Sequence, residues 1–473
     1  MNYEQFINSK SQLGGMSGFK PSFMPDCLFD FQKAITEWAV MKGKAAIFAD
    51  CGLGKTLMQL VWAENVVRET NGRVLILAPL AVGPQTEKEA HKFGIEAKHV
   101  RTAALPVEKI IITNYEKLHL FDANDFVGCV CDESSILKHF TGATQKEVTR
   151  FMLKLKYRLL CTATAAPNDY IELGTSSEAL GDIGYSDMLT RFFRQTDNKP
   201  HRRQEIKEWV NEKHGNHFGK LAFRVSQQIG NWKLKGHAVV PFWRWIATWA
   251  KACRRPSDVG FSDDGFILPP LEERHYVVEP NKPAEGHLFV LDAFGLKEER
   301  EERRRTLDER CGLVADLVKA PEPAVIWCQL NDEGKRLAKI IPNSREVSGA
   351  TSDDEKEEIV EWFLQGGDRK LISKAKIFGF GLNLQHCSHV VTFATHSYEQ
   401  YYQSIRRCWR FGQKLPVTVD IVSTTGETRV RDNMERKARA MDEMFTQLVA
   451  EMRSATMINT TTDTLNPTKP AWL

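Results

Sequence analysis

The chain has 473 residues, 42% of them hydrophobic and 26% charged, a balance that suits two or three folded domains and excludes a fibrous or wholly disordered chain. A formal charge of +3 neither demands nor excludes a nucleic-acid partner, because such a partner needs only a locally basic track. No long uncharged apolar run predicts a membrane span, and residues 1–10 carry Glu4, Gln5 and Asn8 among their apolar positions, unlike a secretory signal.

Taken in chain order, short apolar runs alternate with polar, helix-like stretches. The runs fall at 45–49, 74–78, 110–113, 126–131 and 158–161, then, after a gap, at 324–328, 370–373, 389–395 and 417–422. Strands that alternate with helices predict parallel sheets covered on both faces. Two such blocks predict an α/β protein of two lobes, over 1–175 and 296–455. The ten cysteines form no C-x-x-C pair, and Cys129 and Cys131 sit in an apolar run as buried strand residues would. This pattern fits a reduced, cytoplasmic setting better than a disulfide scaffold or a zinc site.

The stretch 176–295 breaks the rhythm and reads as a mainly helical insertion that ends near the rigid Leu268-Pro269-Pro270-Leu271 turn. It holds five tryptophans from Trp209 to Trp249 and basic patches at Lys199–Lys207 and Lys251–Arg255. Phe242 to Arg255 could be a surface on which bases stack, but tryptophans at helical spacing read as core in preference. Leu296–Arg310, sequence LKEEREERRRTLDER, reads as a solvated surface helix stabilised by i,i+4 pairs. The segment 456–473, rich in Thr and Asn, reads as a disordered tail. His139, His386 and His396 have no metal-like partners and read as ordinary polar positions.

The strongest local signal is Ala49-Asp50-Cys51-Gly52-Leu53-Gly54-Lys55-Thr56, between an apolar run and a helix-like Leu57–Val67. Gly52 and Gly54 let backbone N–H groups wrap phosphates, Lys55 can reach the β and γ phosphates, and the Thr56 hydroxyl can bind Mg²⁺. Ala49 stands where the usual pattern begins with Gly. A second acidic element is needed on a neighbouring strand, and the run 126–131 ends in Asp132-Glu133. Asp132 would hold Mg²⁺, and Glu133 would orient and deprotonate an attacking water. Near the other end, a helix over 403–413 would set Gln403, Arg407 and Arg410 on one face, at i, i+4 and i+7. That face suits the charge of a transferring γ-phosphoryl group. The same pattern would also fit a basic surface helix that binds phosphates nonspecifically.

With these motifs in order, the chain from about Leu28 to Val449 resembles the Swi/Snf-type ATPases of helicase superfamily 2. The family opens on a segment like Leu28-Phe29-Asp30-Phe31-Gln32, whose Gln reads the adenine edge. It continues with the P-loop matched by Gly52 to Thr56. Leu77-Ala78-Pro79 and Ile112-Thr113-Asn114-Tyr115 resemble the family's motifs Ia and Ib, and Leu160 to Asn168 resembles motif III. In the second block Val325 to Gln329 resembles motif IV, Ser348-Gly349 with Trp362-Phe363 matches the next strand–helix unit, and Lys374 to Leu384 resembles motif V. Gln403, Arg407, Arg410, Gly412 and Gln413 resemble motif VI. Two positions depart from the family: Ser134-Ser135 stand where it usually has Ala-His, and Trp409 stands where it commonly has His.

The resemblance implies two RecA-like lobes that bind ATP and Mg²⁺ between them, in the manner of a minimal phage or bacterial member. Lys55, Glu133, Gln403, Arg407 and Arg410 would be catalytic. Gln32, Gly52, Gly54, Lys55, Thr56 and Gly381 would hold the nucleotide, and Thr56 and Asp132 the metal. Pro79, Thr113, Gln329, Ser373 and Lys374 would touch nucleic acid. The expected activity is DNA-dependent ATP hydrolysis coupled to translocation, in replication, recombination or repair. The expected partner is duplex or forked DNA in preference to RNA, with replication or recombination proteins besides. The protein is expected to act as a monomer away from membranes. An RNA helicase or a nucleotide-gated DNA clamp would share much of this core, whereas no nuclease motif is present.

Overall fold

The structure is a computed structural model that describes residues 15–79, 82–103, 105–196, 232–279, 296–378 and 383–461. The expectations for Gly381, for the basic patch at 199–207 and for the chain beyond 461 lie outside the described residues.

The predicted apolar runs form strands β1 (Lys44–Ala49), β2 (Arg73–Ala78), β4 (Ile110–Asn114), β5 (Phe126–Asp132) and β6 (Tyr157–Cys161). With β3 (Ala97–His99) and β9 (Ala250–Cys253) they build a seven-stranded sheet in the order β3-β4-β2-β5-β6-β1-β9. Every pairing in it is parallel. Successive side chains of a strand face opposite sides, so β1 sends Ala45, Ile47 and Ala49 into one core and Ala46 and Phe48 into another. β2 divides Val74 and Ile76 from Leu75 and Leu77 in the same way. Both faces are covered, which is why these strands read as unbroken apolar runs.

The second sheet is also parallel, in the order β10-β15-β14-β11-β13-β12. Its strands are β10 (Leu271–Val278), β11 (Ala324–Cys328), β12 (Ser344–Val347), β13 (Lys370–Lys374), β14 (His389–Phe393) and β15 (Val417–Thr424). The molecule is thus an α/β protein of two parallel-sheet, RecA-like lobes, as the alternation of strands and helices predicts.

Between the lobes lie helices Leu173–Leu180, Tyr185–Phe192 and Val239–Trp249 and a hairpin of β7 (Phe193–Gln195) and β8 (Trp232–Leu234). Phe242, Trp243, Trp245, Ile246 and Trp249 are buried, and Trp245 stacks on Phe192 with ring centroids 5.3 Å apart. This aromatic stretch is core and offers no stacking surface. The chain enters β9 directly after Trp249, and β9 pairs with β1. The span 176–295 therefore also supplies an edge strand to each sheet, β9 to the first and β10 to the second. At the turn between them the carbonyl of Pro270 accepts from Val417 N, which starts β10 alongside β15.

Two segments differ from their sequence readings. Leu296–Arg310 is two helices, Leu296–Arg305 and Leu307–Leu317. It is not wholly solvated: Arg310 is 1% exposed and Glu302 is 8% exposed, while Arg304 and Asp308 face water. Arg303 pairs with Glu427 at 2.6 Å and Arg310 with Glu333 at 2.6 Å, partners that no local i,i+4 spacing reveals. At the chain's end, helix Thr428–Thr461 runs six residues into the segment read as a disordered tail from 456. It leaves the second lobe and packs Met441, Met444, Phe445, Leu448 and Met452 into the core shared with Trp243 and Trp249 of the first. Burial of that apolar face, rather than propensity, sustains so long a helix. Among the described residues no helix is long and apolar enough to cross a membrane.

Candidate active site between the lobes

The P-loop follows β1 and gives way to helix Lys55–Thr70, whose N-cap is Gly54. Gly52 and Gly54 both have positive φ, 87° and 76°, a region that glycine enters without steric cost. A Cβ on Gly52 would also lie 2.9 Å from the backbone nitrogen of Phe411 in the second lobe. The two glycines therefore shape the loop and admit the opposite lobe. Lys55 Nζ donates to the carbonyls of Ala49 at 2.8 Å and Asp50 at 3.3 Å, which folds it over the cradle. Gln32 is buried against the same loop: Nε2 donates to Leu53 O at 2.9 Å and Oε1 accepts from Phe29 N at 2.9 Å. Each end of its amide keeps capacity for one further bond, as reading a base edge requires.

Asp132 ends β5 and accepts from Gln59 Nε2 at 2.6 Å. Glu133 has φ 50° and ψ 54°, a left-handed conformation that a non-glycine residue holds only at a cost of roughly 1–3 kcal/mol. It accepts from Thr162 Oγ1 at 3.2 Å. Burial pushes both carboxyls above their ordinary range. At Asp132 the Gln59 hydrogen bond and the charge of Lys55 oppose the rise, and at Glu133 the charges of Lys55 and Arg407 do so.

The second lobe supplies helix Tyr398–Ile405. It ends before Arg407, so the predicted single helical face through Gln403, Arg407 and Arg410 does not form. A turn replaces it. Gly412 has φ 92°, and the buried Gln413 staples the turn by donating to Cys387 O and Cys408 O and accepting from Lys414 N and Leu415 N. The arginines still reach the cleft. Arg407 Nε is held by Gln403 O at 3.2 Å, and burial beside Arg407 lowers the pKa of Arg410.

Lys55, Thr56, Asp132, Glu133, Arg407 and Arg410 line one cavity of about 300 Å³, together with Gly52 and Gly54. The Thr56 hydroxyl and the Asp132 carboxylate fit Mg²⁺, which is held by one or two protein oxygens plus substrate phosphates. Among the described residues no group of three or more His, Cys, Asp and Glu side chains could hold a metal by themselves.

The strand registers set Pro79 beside the end of β4 and Gln329 beside the end of β13, at the carboxyl edges of the two sheets. Thr113 and Ser373 do not face outward. Both are buried, and their hydroxyls donate to Val100 O at 3.0 Å and Val347 O at 2.8 Å. Pro79, Gln329 and Lys374 are half-buried and remain the accessible members of that group.

Several residues at the lobe junction were not singled out in the sequence. Arg406 pairs with Asp50 of the P-loop, and the Tyr402 hydroxyl donates to the same carboxylate at 2.7 Å. Glu89 and Gln85 join the cavity wall. Beyond the phosphate loop a second cavity, of about 600 Å³, is lined by Tyr398, Tyr401, Trp409, Phe266 and Phe445 together with the Asp50–Arg406 pair.

Residues 308–412 match the helicase conserved C-terminal domain. No curated protein matches the chain. Among solved structures, the SWI2/SNF2 ATPase core of Sulfolobus solfataricus in complex with dsDNA is similar at 19% identity and a TM-score of 0.38, over 93% of this chain and 97% of that one. Two parallel-sheet lobes, a P-loop with its acidic pair and a helicase C-terminal domain define a helicase-like ATPase. Within that class the ordered motifs, from Gln32 to Gln413, resemble those of the Swi/Snf type of superfamily 2.

Proposed function

We propose that this chain is a DNA-dependent ATPase that moves along DNA, in the manner of a minimal phage or bacterial translocase serving replication, recombination or repair. One observation carries the reading: the phosphate loop and acidic pair of one lobe share a single cavity with two arginines of the other. Hydrolysis in such a site is governed by whether the lobes are closed.

Lys55 and the P-loop amides bind the phosphates; Thr56 and Asp132 would hold Mg²⁺, which would supply charge neutralisation there. Glu133 orients the attacking water and accepts its proton. Arg407 and Arg410 face the γ-phosphoryl group and stabilise the charge that develops there. Closure and reopening then shift the carboxyl edges of the two sheets relative to each other. Pro79, Gln329 and Lys374 at those edges would grip a nucleic-acid backbone without reading its sequence. Such a grip weakens as salt is raised.

The test is steady-state ATP hydrolysis alone and with duplex, forked and single-stranded DNA and RNA, alongside Lys55→Ala. Duplex or forked DNA should stimulate turnover by about tenfold or more, and Lys55→Ala should abolish it. Stimulation by RNA alone would place the protein in RNA metabolism. Turnover that survives in Lys55→Ala would refute the site.

A further inference from the structure

We infer that Lys138 and Glu399 are a positioning pair that couples closure of the lobes to the placement of Glu133. The inference rests on the ATPase reading above and concerns how its site is assembled.

Lys138 ends the 3-10 turn Ser134–Lys138 that follows the acidic pair, and Glu399 lies in the first turn of helix Tyr398–Ile405. They are 261 residues apart in the chain yet form an ion pair across the cleft. Their side chains are 17% and 10% exposed, so each charge depends on the other when the lobes are closed and on water when they are open.

A directed set of hydrogen bonds continues from this pair to Glu133. Thr164 Oγ1 donates to Glu399 Oε1 at 3.5 Å and accepts from Gln403 Nε2 at 3.5 Å. Thr164 N donates to Thr162 Oγ1 at 3.1 Å, and Thr162 Oγ1 donates to Glu133 Oε2 at 3.2 Å. The second lobe thus touches, through one threonine, the loop that orients Glu133.

The serines next to Glu133 supply no such link. Ser134 Oγ is buried with no partner among the described residues, and Ser135 Oγ reaches only Glu133 O at 3.5 Å. Lys138 is the first basic residue after Glu133. Glu133, Glu172 and Lys437 are also charged groups near this pair, and the ion pair of Glu399 is with Lys138.

Charge reversal tests the pair. Lys138→Glu and Glu399→Lys are each expected to lower DNA-stimulated kcat by about tenfold or more while KM for ATP stays within about twofold. The double swap is expected to recover most of the loss, and Lys138→Arg, which keeps the charge, to stay near wild type. A merely structural contact would alter thermal stability without this recovery, so melting curves accompany the kinetics. Single reversals with wild-type kcat, or a folded double swap no better than either single, would overturn the inference. Hydrogen–deuterium exchange of residues 134–138 and 398–405 reads the contact without turnover. Exchange should rise in both segments in each single variant and fall again in the double. If wild type fails to hydrolyse ATP, the functional reading is lost, and the pair still stands or falls on that exchange pattern.

Discussion

Glu172 closes a short 3-10 turn after motif III and is 8% exposed. It accepts from Asn168 N at 3.1 Å and Asn168 Nδ2 at 2.8 Å. Burial outweighs these bonds and pushes its pKa up to about 7 from 4.5. The folded state therefore holds a proton that the unfolded chain has released, and this group's contribution to stability falls as pH rises from about 4.5 to 7. The slope from one such proton is at most about 1.4 kcal/mol per pH unit. In urea titrations across that range, Glu172→Gln should lose less stability than wild type as pH rises. Parallel curves for the two proteins would contradict the assignment. At this scale the sequence is most informative where partners are neighbours in the chain: Gly52, Gly54, Lys55 and Thr56 announce a phosphate cradle by spacing alone. It is silent on Arg406, because the Asp50 it pairs with lies 356 residues earlier.

Among the elements, the strands were the more legible, because burial on both faces leaves an unmistakable apolar run. β9 and β10 escaped notice: β9 is four residues carrying Lys251, and β10 is an edge strand with exposed Glu272, Glu273 and Arg274. The charged helices were misread for a related reason. A local pattern cannot distinguish a charge that faces water from one that faces a distant opposite charge. Arg310 bonds Glu333 and Thr306 Oγ1 and lies 4.8 Å from the ring centroid of Phe393. Glu333 in turn accepts from Gln329 N and Leu330 N at the start of helix Asn331–Ile340. Arg310→Ala would leave that carboxylate buried without its cation, at a cost of about 3–5 kcal/mol. Thermal unfolding should show the second lobe melting earlier, and an unchanged melting temperature would mean that Glu333 finds another partner. The turn from Arg407 to Gln413 was hidden for a different reason: Arg407 and Arg410 fall at helical spacing, but the helix stops at Ile405 and Gln413 holds the turn that follows.

For the whole molecule, three of the polar contacts between the lobes involve the P-loop or the turn after the acidic pair: Arg406 with Asp50, Tyr402 with Asp50, and Lys138 with Glu399. Arg406 also stacks over Trp409, with 4.7 Å to the ring centroid. Arg406→Ala should therefore favour open lobes, enlarging the radius of gyration in small-angle scattering and weakening apparent ATP affinity by about tenfold. A variant as compact as wild type would show that the last helix alone holds the lobes together. That arrangement of lobes could not be read from composition, since it depends on pairs hundreds of residues apart.

The last helix also governs when the molecule can be finished. Ala252 of β9 donates its backbone N–H to Met452 Sδ, and Arg254 reaches back to Met441 O and Asp442. Domains generally fold in turn, as units, while a chain leaves the ribosome, yet here the final turns of the second lobe's helix cover an edge of the first. A nascent chain that has already released its P-loop must keep the β9 edge and the tryptophan helix uncovered until Met452, far along the chain from Lys55, has been made.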